Sequence, residues 1–259
     1  MENAVTNAAL ADATAPVVAP VLVAIDGPAG SGKSSVSREA ARRLGFGILD
    51  TGAAYRALAW AALEMGADLD DAEAVEAILS RWGYSSTLLG EPQIMVTLPP
   101  APGDVAAITL AHDVTDAIRD PKVSGQVSHV SRHPGVREGL NTMFRRLVAE
   151  SGLPGVIIEG RDITTVVAPD APVRILLTAS PEVRAARRSG ELSGSDAAQV
   201  LADLAARDAK DAQVVDFFNP APGVTLVDTS DLDFEGSVDA VISIVQALPA
   251  NASQEDTNE

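Results

Sequence analysis

Three observations predict a doubly wound α/β domain built on a five-stranded parallel sheet. Five short apolar runs recur along the chain: VLVAI (21–25), FGIL (46–49), GVIIE (155–159), VRILLT (173–178) and VTLVD (224–228). Each is bounded by Gly, Pro or Asp, and each is continuous rather than alternating, which is the pattern of strands covered on both faces. Between them lie longer stretches with helical spacing, so strands and helices alternate as parallel crossovers require. The chain is also 46% hydrophobic but only 3% aromatic, so Leu, Val, Ile and Ala must build its core.

Taken in order, residues 1–20 are rich in Ala, Pro and small polar residues without a sustained period, and they are expected to lack order. The first strand breaks at a glycine-rich stretch and resumes as the helix SSVSREAARRLG (34–45). The acidic segment ADLDDAEAVEAI (67–78) reads as a capped surface helix. YSSTLLGEPQIMVTLPPAPG (84–103) interrupts the rhythm with alternation and turn residues, which predicts a small β insertion. Pro134 stands where a first helical residue belongs, and Gly152 stops that helix. Ser180-Pro181 opens another, and Ser195 is placed to cap a third over 196–213. The folded part is thus residues 21–247, followed by a polar, acidic tail at 248–259.

With 36 acidic and 19 basic residues the net charge is -17, which argues against a broad basic face for nucleic acid or an anionic membrane. A phosphate-bearing substrate would need a local positive pocket. Of the 19 basic residues 16 are Arg, the side chain suited to bidentate phosphate recognition, and only Lys33, Lys122 and Lys210 are Lys. The chain has no cysteine, its start lacks a cationic segment of the secretory kind, and it holds no apolar run of about 18 residues that would span a membrane. These features predict a soluble, cytoplasmic protein.

The stretch VLVAIDGPAGSGKSSVSREAARRLG carries the most specific chemistry. Gly27, Gly32, Lys33 and Ser34 satisfy G-x-x-x-x-G-K-[ST], with a strand before and a helix after, as the motif requires. Backbone N–H groups of Gly27, Pro28, Ala29, Gly30, Ser31, Gly32, Lys33, Ser34 and Ser35, proline excepted, are available to curl around phosphates; Lys33 reaches the terminal ones, and the Ser34 hydroxyl is a ligand for Mg²⁺. A nucleoside triphosphate, ATP, is therefore the expected occupant, and the fold becomes a P-loop NTPase. LDTGAAYR (49–56) puts Thr51, Tyr55 and Arg56 at the carboxyl end of the second strand, and EGRD (159–162) puts Arg161 and Asp162 after the third, where α/β proteins place ligands. No N-K-x-D sequence accompanies the loop, so guanine recognition of the regulatory kind is not expected. His129 and His133 lie four apart in a stretch that reads as one helix, a spacing able to share a metal, but no third ligand with suitable spacing joins them.

Taken together, IDGPAGSGKSS, LDTGAAYRAL, IRDPKVSGQVSHVSRHPGVRE, EGRDITTVVAPDAPVRILLTASPEVRAARR, RDAKD and VDTS resemble, in order, the motifs of bacterial cytidylate kinases, the CMP/dCMP kinases of the nucleoside monophosphate kinase superfamily. The resemblance spans 21–230. It implies a monomeric phosphotransferase that moves the γ-phosphate of ATP to CMP or dCMP with Mg²⁺. It also implies an insertion that binds the nucleoside monophosphate, at about 82–133, and a lid at about 184–213. By position, Thr51 and Arg56 would belong to the acceptor site, Ser128, Arg137 and Asp162 would read cytosine, and Arg161 would hold the acceptor phosphate. Arg207 and Asp211 would hold the ribose, and Arg184, Arg187 and Arg188 would act as lid cations on the γ-phosphoryl group.

The chain departs from the family pattern in places. The family commonly carries an Arg three residues after the second Asp of RDxxD, where Val214 stands, and Gln where Phe144 stands; the stretch from Arg188 to Arg207 also looks short for its lid. Lys210 is the candidate substitute for the missing cation. These departures leave two alternatives: a decayed relative with little turnover, or a kinase for another acceptor such as UMP.

Overall fold

The computed structural model describes residues 20–100, 110–191, 197–212 and 219–248. The strands are β1 (Val21–Asp26), β2 (Gly47–Asp50), β3 (Gly83–Ser86), β4 (Ile94–Thr97), β5 (Ala111–Asp113), β6 (Gly155–Gly160), β7 (Val173–Thr178) and β8 (Thr225–Asp228). The helices are α1 (Lys33–Leu44), α2 (Thr51–Glu64), α3 (Ala72–Leu79), α4 (Pro121–Ser124), α5 (Val127–Ser131), α6 (Pro134–Ala149), α7 (Pro181–Glu191), α8 (Ala197–Asp211) and α9 (Phe234–Gln246).

All five apolar runs become the strands of one parallel sheet, in the order β2-β6-β1-β7-β8. The loop-bearing strand β1 is central, in register with β6 (Val23 opposite Ile157) and with β7 (Val23 opposite Val173). Val23, Ala24 and Ile25 are wholly buried, as continuous apolar composition requires of a strand covered on both faces. One core lies on the face covered by α2 and α6 and includes Leu49, Leu58, Leu140, Phe144 and Ile158; the other, with α1 and α9, includes Ile25, Val36, Ile157, Ile175 and Val241.

Local sequence explains the element ends. Helix α1 stops at Gly45, whose left-handed backbone (φ 67) lets Phe46 N donate to Ala41 O at 2.8 Å. Asp50 caps α2 by accepting from Ala53 N at 2.9 Å, and Asp71 caps α3 in the same way through Glu73 N and Ala74 N. Helix α2 buries Ala53, Ala54, Ala57, Ala59, Ala61 and Ala62, so small side chains let it sit deep between the sheet and the shorter helices. That is how a chain poor in aromatic residues fills its interior.

The small β insertion exists, with a difference. β3 and β4 pair antiparallel (Tyr84 opposite Val96), and β5 joins β4 as a third strand beyond the predicted segment. Three exposed residues, Ala111 to Asp113, carry no apolar signal by which to find it. His129 and His133 do not share a helix: α5 ends at Ser131, and His133 precedes α6. The His129 ring pairs with Asp70 at 2.5 Å and His133 Nε2 lies 2.8 Å from Leu69 O; among the described residues no cluster able to hold a metal by His, Cys or carboxylates occurs. The two tails, the Ser195 cap and Val214 fall outside the described residues, as do the side chains of Arg207, Lys210 and Asp211. Among the described residues no helix is long and apolar enough to cross a membrane.

Candidate active site

The loop between β1 and α1 has the shape its glycines allow. A Cβ on Gly27 would stand 2.1 Å from Leu177 O, so only glycine lets the chain leave β1 pressed against β7. Gly30 (φ 74) and Gly32 (φ 86) are both left-handed, and alternation of such residues with ordinary ones is the backbone pattern of an anion cradle; the Ala29 N–H, expected to join that cradle, instead donates to Asp208 Oδ1 at 3.3 Å. Lys33 opens α1, so the cradle also lies at the positive end of a helix.

A carboxylate stands at the carboxyl end of each neighbouring strand: Asp26 on β1, Asp50 on β2 and Glu159 near the end of β6. Glu159 is 2% exposed; its Oε1 accepts from Ser34 Oγ at 2.6 Å and its Oε2 lies 3.8 Å from Lys33 Nζ. Burial, and then the negative charge of Asp50, push its carboxyl above the ordinary carboxylate value, while Lys33 and the Ser34 hydroxyl pull the other way. Asp26 is equally buried and also shifted upward by burial, but its role is different. It accepts from Ile163 N (2.7 Å), Thr164 N (2.9 Å) and Thr164 Oγ1 (2.6 Å), gripping the turn that follows EGRD. Its bonds fix where Arg161 and Asp162 begin.

The candidate acceptor side is built from ion pairs between side chains. Arg56 Nη2 donates to Asp50 Oδ2 at 3.0 Å, while its buried Nε has no hydrogen-bond partner among the described residues. Arg137, in the first turn of α6, donates from Nη2 to Asp162 Oδ2 at 2.6 Å. Burial raises the Asp162 carboxyl, with Arg137 opposing the shift. Its neighbour Arg161 turns to the phosphate loop, donating from Nη1 to Gly27 O at 2.7 Å. Thr51 Oγ1 donates to Glu159 O at 2.9 Å, tying α2 to β6. Ser128 lies in α5, half-buried. Phe144, wholly buried, packs its ring 6.4 Å from that of Tyr55 beneath this side, which accounts for an apolar residue there.

On the other flank α7 brings Arg184 and Arg187 to the loop. Arg184 is 7% exposed and donates from Nη1 to Ala29 O (2.9 Å) and Asp208 Oδ2 (2.5 Å). Arg187 donates from Nη1 to Ser31 O (3.0 Å) and Thr229 Oγ1 (2.9 Å), and from Nη2 to Thr229 O (2.8 Å). Arg188 is exposed on the same helix, and Arg207 and Asp211 lie on α8.

The structure therefore gathers Lys33, Ser34, Arg161, Arg184 and Arg187 about the loop, and joins Arg56 and Arg137 to carboxylates nearby. Sequence reasoning missed the acids Asp26, Asp50, Glu159 and Asp208. For the first three a signal existed, namely a carboxylate ending an otherwise buried strand. A groove of about 430 Å³ between α3 and α6, lined in part by Trp82, Tyr84 and Arg146, contains none of these residues.

A phosphate loop on the central strand of a parallel sheet, flanked by arginines on both sides, defines a P-loop phosphotransferase. A family model described as cytidylate kinase matches residues 23–247. The chain belongs to the cytidylate kinase family. It is 41% identical over 229 residues to a cytidylate kinase of Cutibacterium acnes, covering 87% of this chain and 96% of that one. It is 42% identical to a cytidylate kinase of Streptomyces avermitilis, covering 87% and 93%. The bifunctional pantoate ligase/cytidylate kinase of Synechococcus sp. strain WH7803 is 42% identical, covering 88% of this chain but 44% of that protein.

Proposed function

We propose that the chain transfers the γ-phosphate of ATP to CMP or dCMP, giving ADP and CDP or dCDP. The observation that carries this reading is the assembly, at the carboxyl edge of one sheet, of a phosphate loop with Lys33 and of the pairs Arg56–Asp50 and Arg137–Asp162. Phosphoryl transfer needs in-line positioning and charge neutralisation more than a covalent catalyst, and this equipment is of that kind.

In this account the cradle N–H groups and Lys33 hold the triphosphate. Ser34 and Glu159 fit Mg²⁺: a hydroxyl and a carboxylate are hard oxygen donors 2.6 Å apart, and Glu159 is a buried acid whose charge a cation would compensate. When bound with the triphosphate, Mg²⁺ supplies neutralisation of its oxygens. Arg56, part-exposed and already paired through Nη2 with Asp50, receives the CMP phosphate, with Arg161 and Thr51 beside it. Arg137, Asp162 and Ser128 read the base: an Asp162 carboxylate accepts where cytosine donates, and the edge of uracil would leave a buried group unpaired. Arg207 and Asp211 serve the ribose, Arg188 serves the lid, and the β3-β4-β5 insertion serves the acceptor side. In this reading the enzyme acts as a monomer in the cytoplasm, where a chain without cysteine needs no oxidising compartment.

The test is initial-rate ADP release with ATP and Mg²⁺ against CMP, dCMP, UMP, AMP and shikimate. CMP and dCMP should give the highest kcat/KM. Faster turnover of UMP, AMP or shikimate would reject the proposal.

A further inference from the structure

Three alternate carbonyl oxygens of the phosphate loop each accept from an arginine Nη1. Gly27 O takes Arg161 at 2.7 Å, Ala29 O takes Arg184 at 2.9 Å, and Ser31 O takes Arg187 at 3.0 Å. The alternation of left-handed glycines leaves these carbonyls facing away from the cradle, and carbonyls shielded from water need donors. One ion pair goes further. Asp208, 4% exposed, accepts from Ala29 N through Oδ1 at 3.3 Å and from Arg184 through Oδ2, so the N–H and the C=O of a single loop residue are both held by the same pair. Ala29 is also the loop's apolar contribution to a small satellite core with Ala185, Val200 and Leu204 of α7 and α8.

We propose that Arg184, Asp208 and Arg187 are positioning residues, which act on the nucleotide by shaping the phosphate cradle through its backbone rather than as cations on the γ-phosphoryl group. Turning Arg184 toward a γ-phosphate would strip Asp208 and both polar groups of Ala29 of their buried partner, a larger loss than one new ion pair restores. Arg187 would likewise abandon Ser31 O, Thr229 O and Thr229 Oγ1. This inference rests on the nucleotide occupying the Gly27–Ser35 loop, and it replaces the lid-cation role that family resemblance implies for these two arginines.

The two roles predict opposite signs for Asp208→Asn. Dissociation constants for ADP and for ATP are measured by calorimetry with Mg²⁺ and no acceptor. A cradle shaped through Asp208 weakens both nucleotides by about tenfold, with the ATP:ADP ratio within about twofold of wild type, because both share the β-phosphate. A γ-phosphate cation set loose from its carboxylate would instead leave ADP unchanged and leave ATP unchanged or tighter, and that result overturns the proposal. Should Asp208→Asn not fold, the double variant Arg184→Met/Asp208→Leu exchanges the buried pair for apolar side chains, a replacement proteins commonly tolerate. Equal weakening of ADP and ATP in a variant that melts near wild type supports positioning; selective weakening of ATP, or wild-type affinity for both, overturns it. Wild-type protein that binds neither nucleotide would reject the loop as the nucleotide site, and the inference with it.

Discussion

Arg184 and Arg187 place their donors on backbone carbonyls, on Thr229 and on a buried carboxylate, and the Arg184 side chain is 9% exposed. Arg56 and Arg137, across the same sheet edge, bind only side-chain carboxylates among the described contacts and keep 23% and 20% of their side-chain surface exposed. The first pair cannot change partner without deforming the loop. The second pair can, because an incoming phosphate or base offers acceptors equivalent to those of Asp50 and Asp162. The contrast separates a flank that shapes its ligand site from a flank that exchanges partners with its ligand.

The largest effect expected is that of Lys33→Ala, which removes the cation at the terminal phosphates. Turnover should fall by about 10³-fold, as for loss of a principal transition-state charge partner. ADP release at saturating CMP reads it, and turnover above a tenth of wild type would remove Lys33 from the mechanism.

Asp162→Asn sharpens the contrast from the exchanging side. It keeps the shape, loses the carboxylate, and leaves Arg137 without its partner at 2.6 Å. A cost of about 1–3 kcal/mol corresponds to a 5- to 150-fold loss in kcat/KM for CMP, with a smaller preference over UMP. An unchanged CMP:UMP ratio would take Asp162 out of base reading.

Glu159 gives a pH test. Burial holds its carboxyl above the ordinary value of 4.5, so in the folded protein it binds its proton more tightly than in the unfolded chain. Between 4.5 and the raised value the native state carries more protons, and stability without nucleotide therefore falls as pH rises. Binding of Mg²⁺ and ATP favours the ionised form, so affinity rises with pH through the same window and binding releases protons. Calorimetry in buffers of different ionisation enthalpy measures the release, which Glu159→Gln should abolish. The stability slope should flatten only in part, since burial also raises Asp26 and Asp162. A variant that still releases the wild-type number of protons would exclude Glu159.

The smallest effect belongs to Asp50→Asn. The amide oxygen can still cap α2 through Ala53 N, so the loss of stability should stay within about 1 kcal/mol. Freed of its carboxylate, Arg56 should bind the CMP phosphate slightly better, and a fall in CMP KM of about twofold to threefold is expected. A rise in KM would mean that Asp50 orients Arg56 rather than competing for it.

Much of this was legible in the chain itself. Five continuous apolar runs became five parallel strands, and the glycine loop announced its own chemistry; burial on both faces holds for the inner strands β6, β1 and β7, whereas the edge strand β8 leaves Leu226 51% exposed despite its apolar run. The acids were harder to see. Asp26, Asp50 and Glu159 are single residues far apart in sequence, and only strand order brings them to one edge. Asp208 reaches Ala29 across 179 positions, a separation that no spacing rule covers. The roles implied for Arg184 and Arg187 show the same limit from the other side: residue type and motif position fix the cation, while the acceptor it meets depends on packing.

The most direct test of the contrast is a crossed measurement of KM for ATP and for CMP in Arg187→Lys and Arg56→Lys. Lysine keeps the charge but cannot reach two carbonyls in a fixed fork, nor hold a phosphate bidentately. The account predicts that Arg187→Lys raises KM for ATP by about tenfold and leaves KM for CMP within twofold, and that Arg56→Lys does the reverse. Both variants shifting the same substrate, or each shifting both equally, would contradict the division into a shaping flank and an exchanging one.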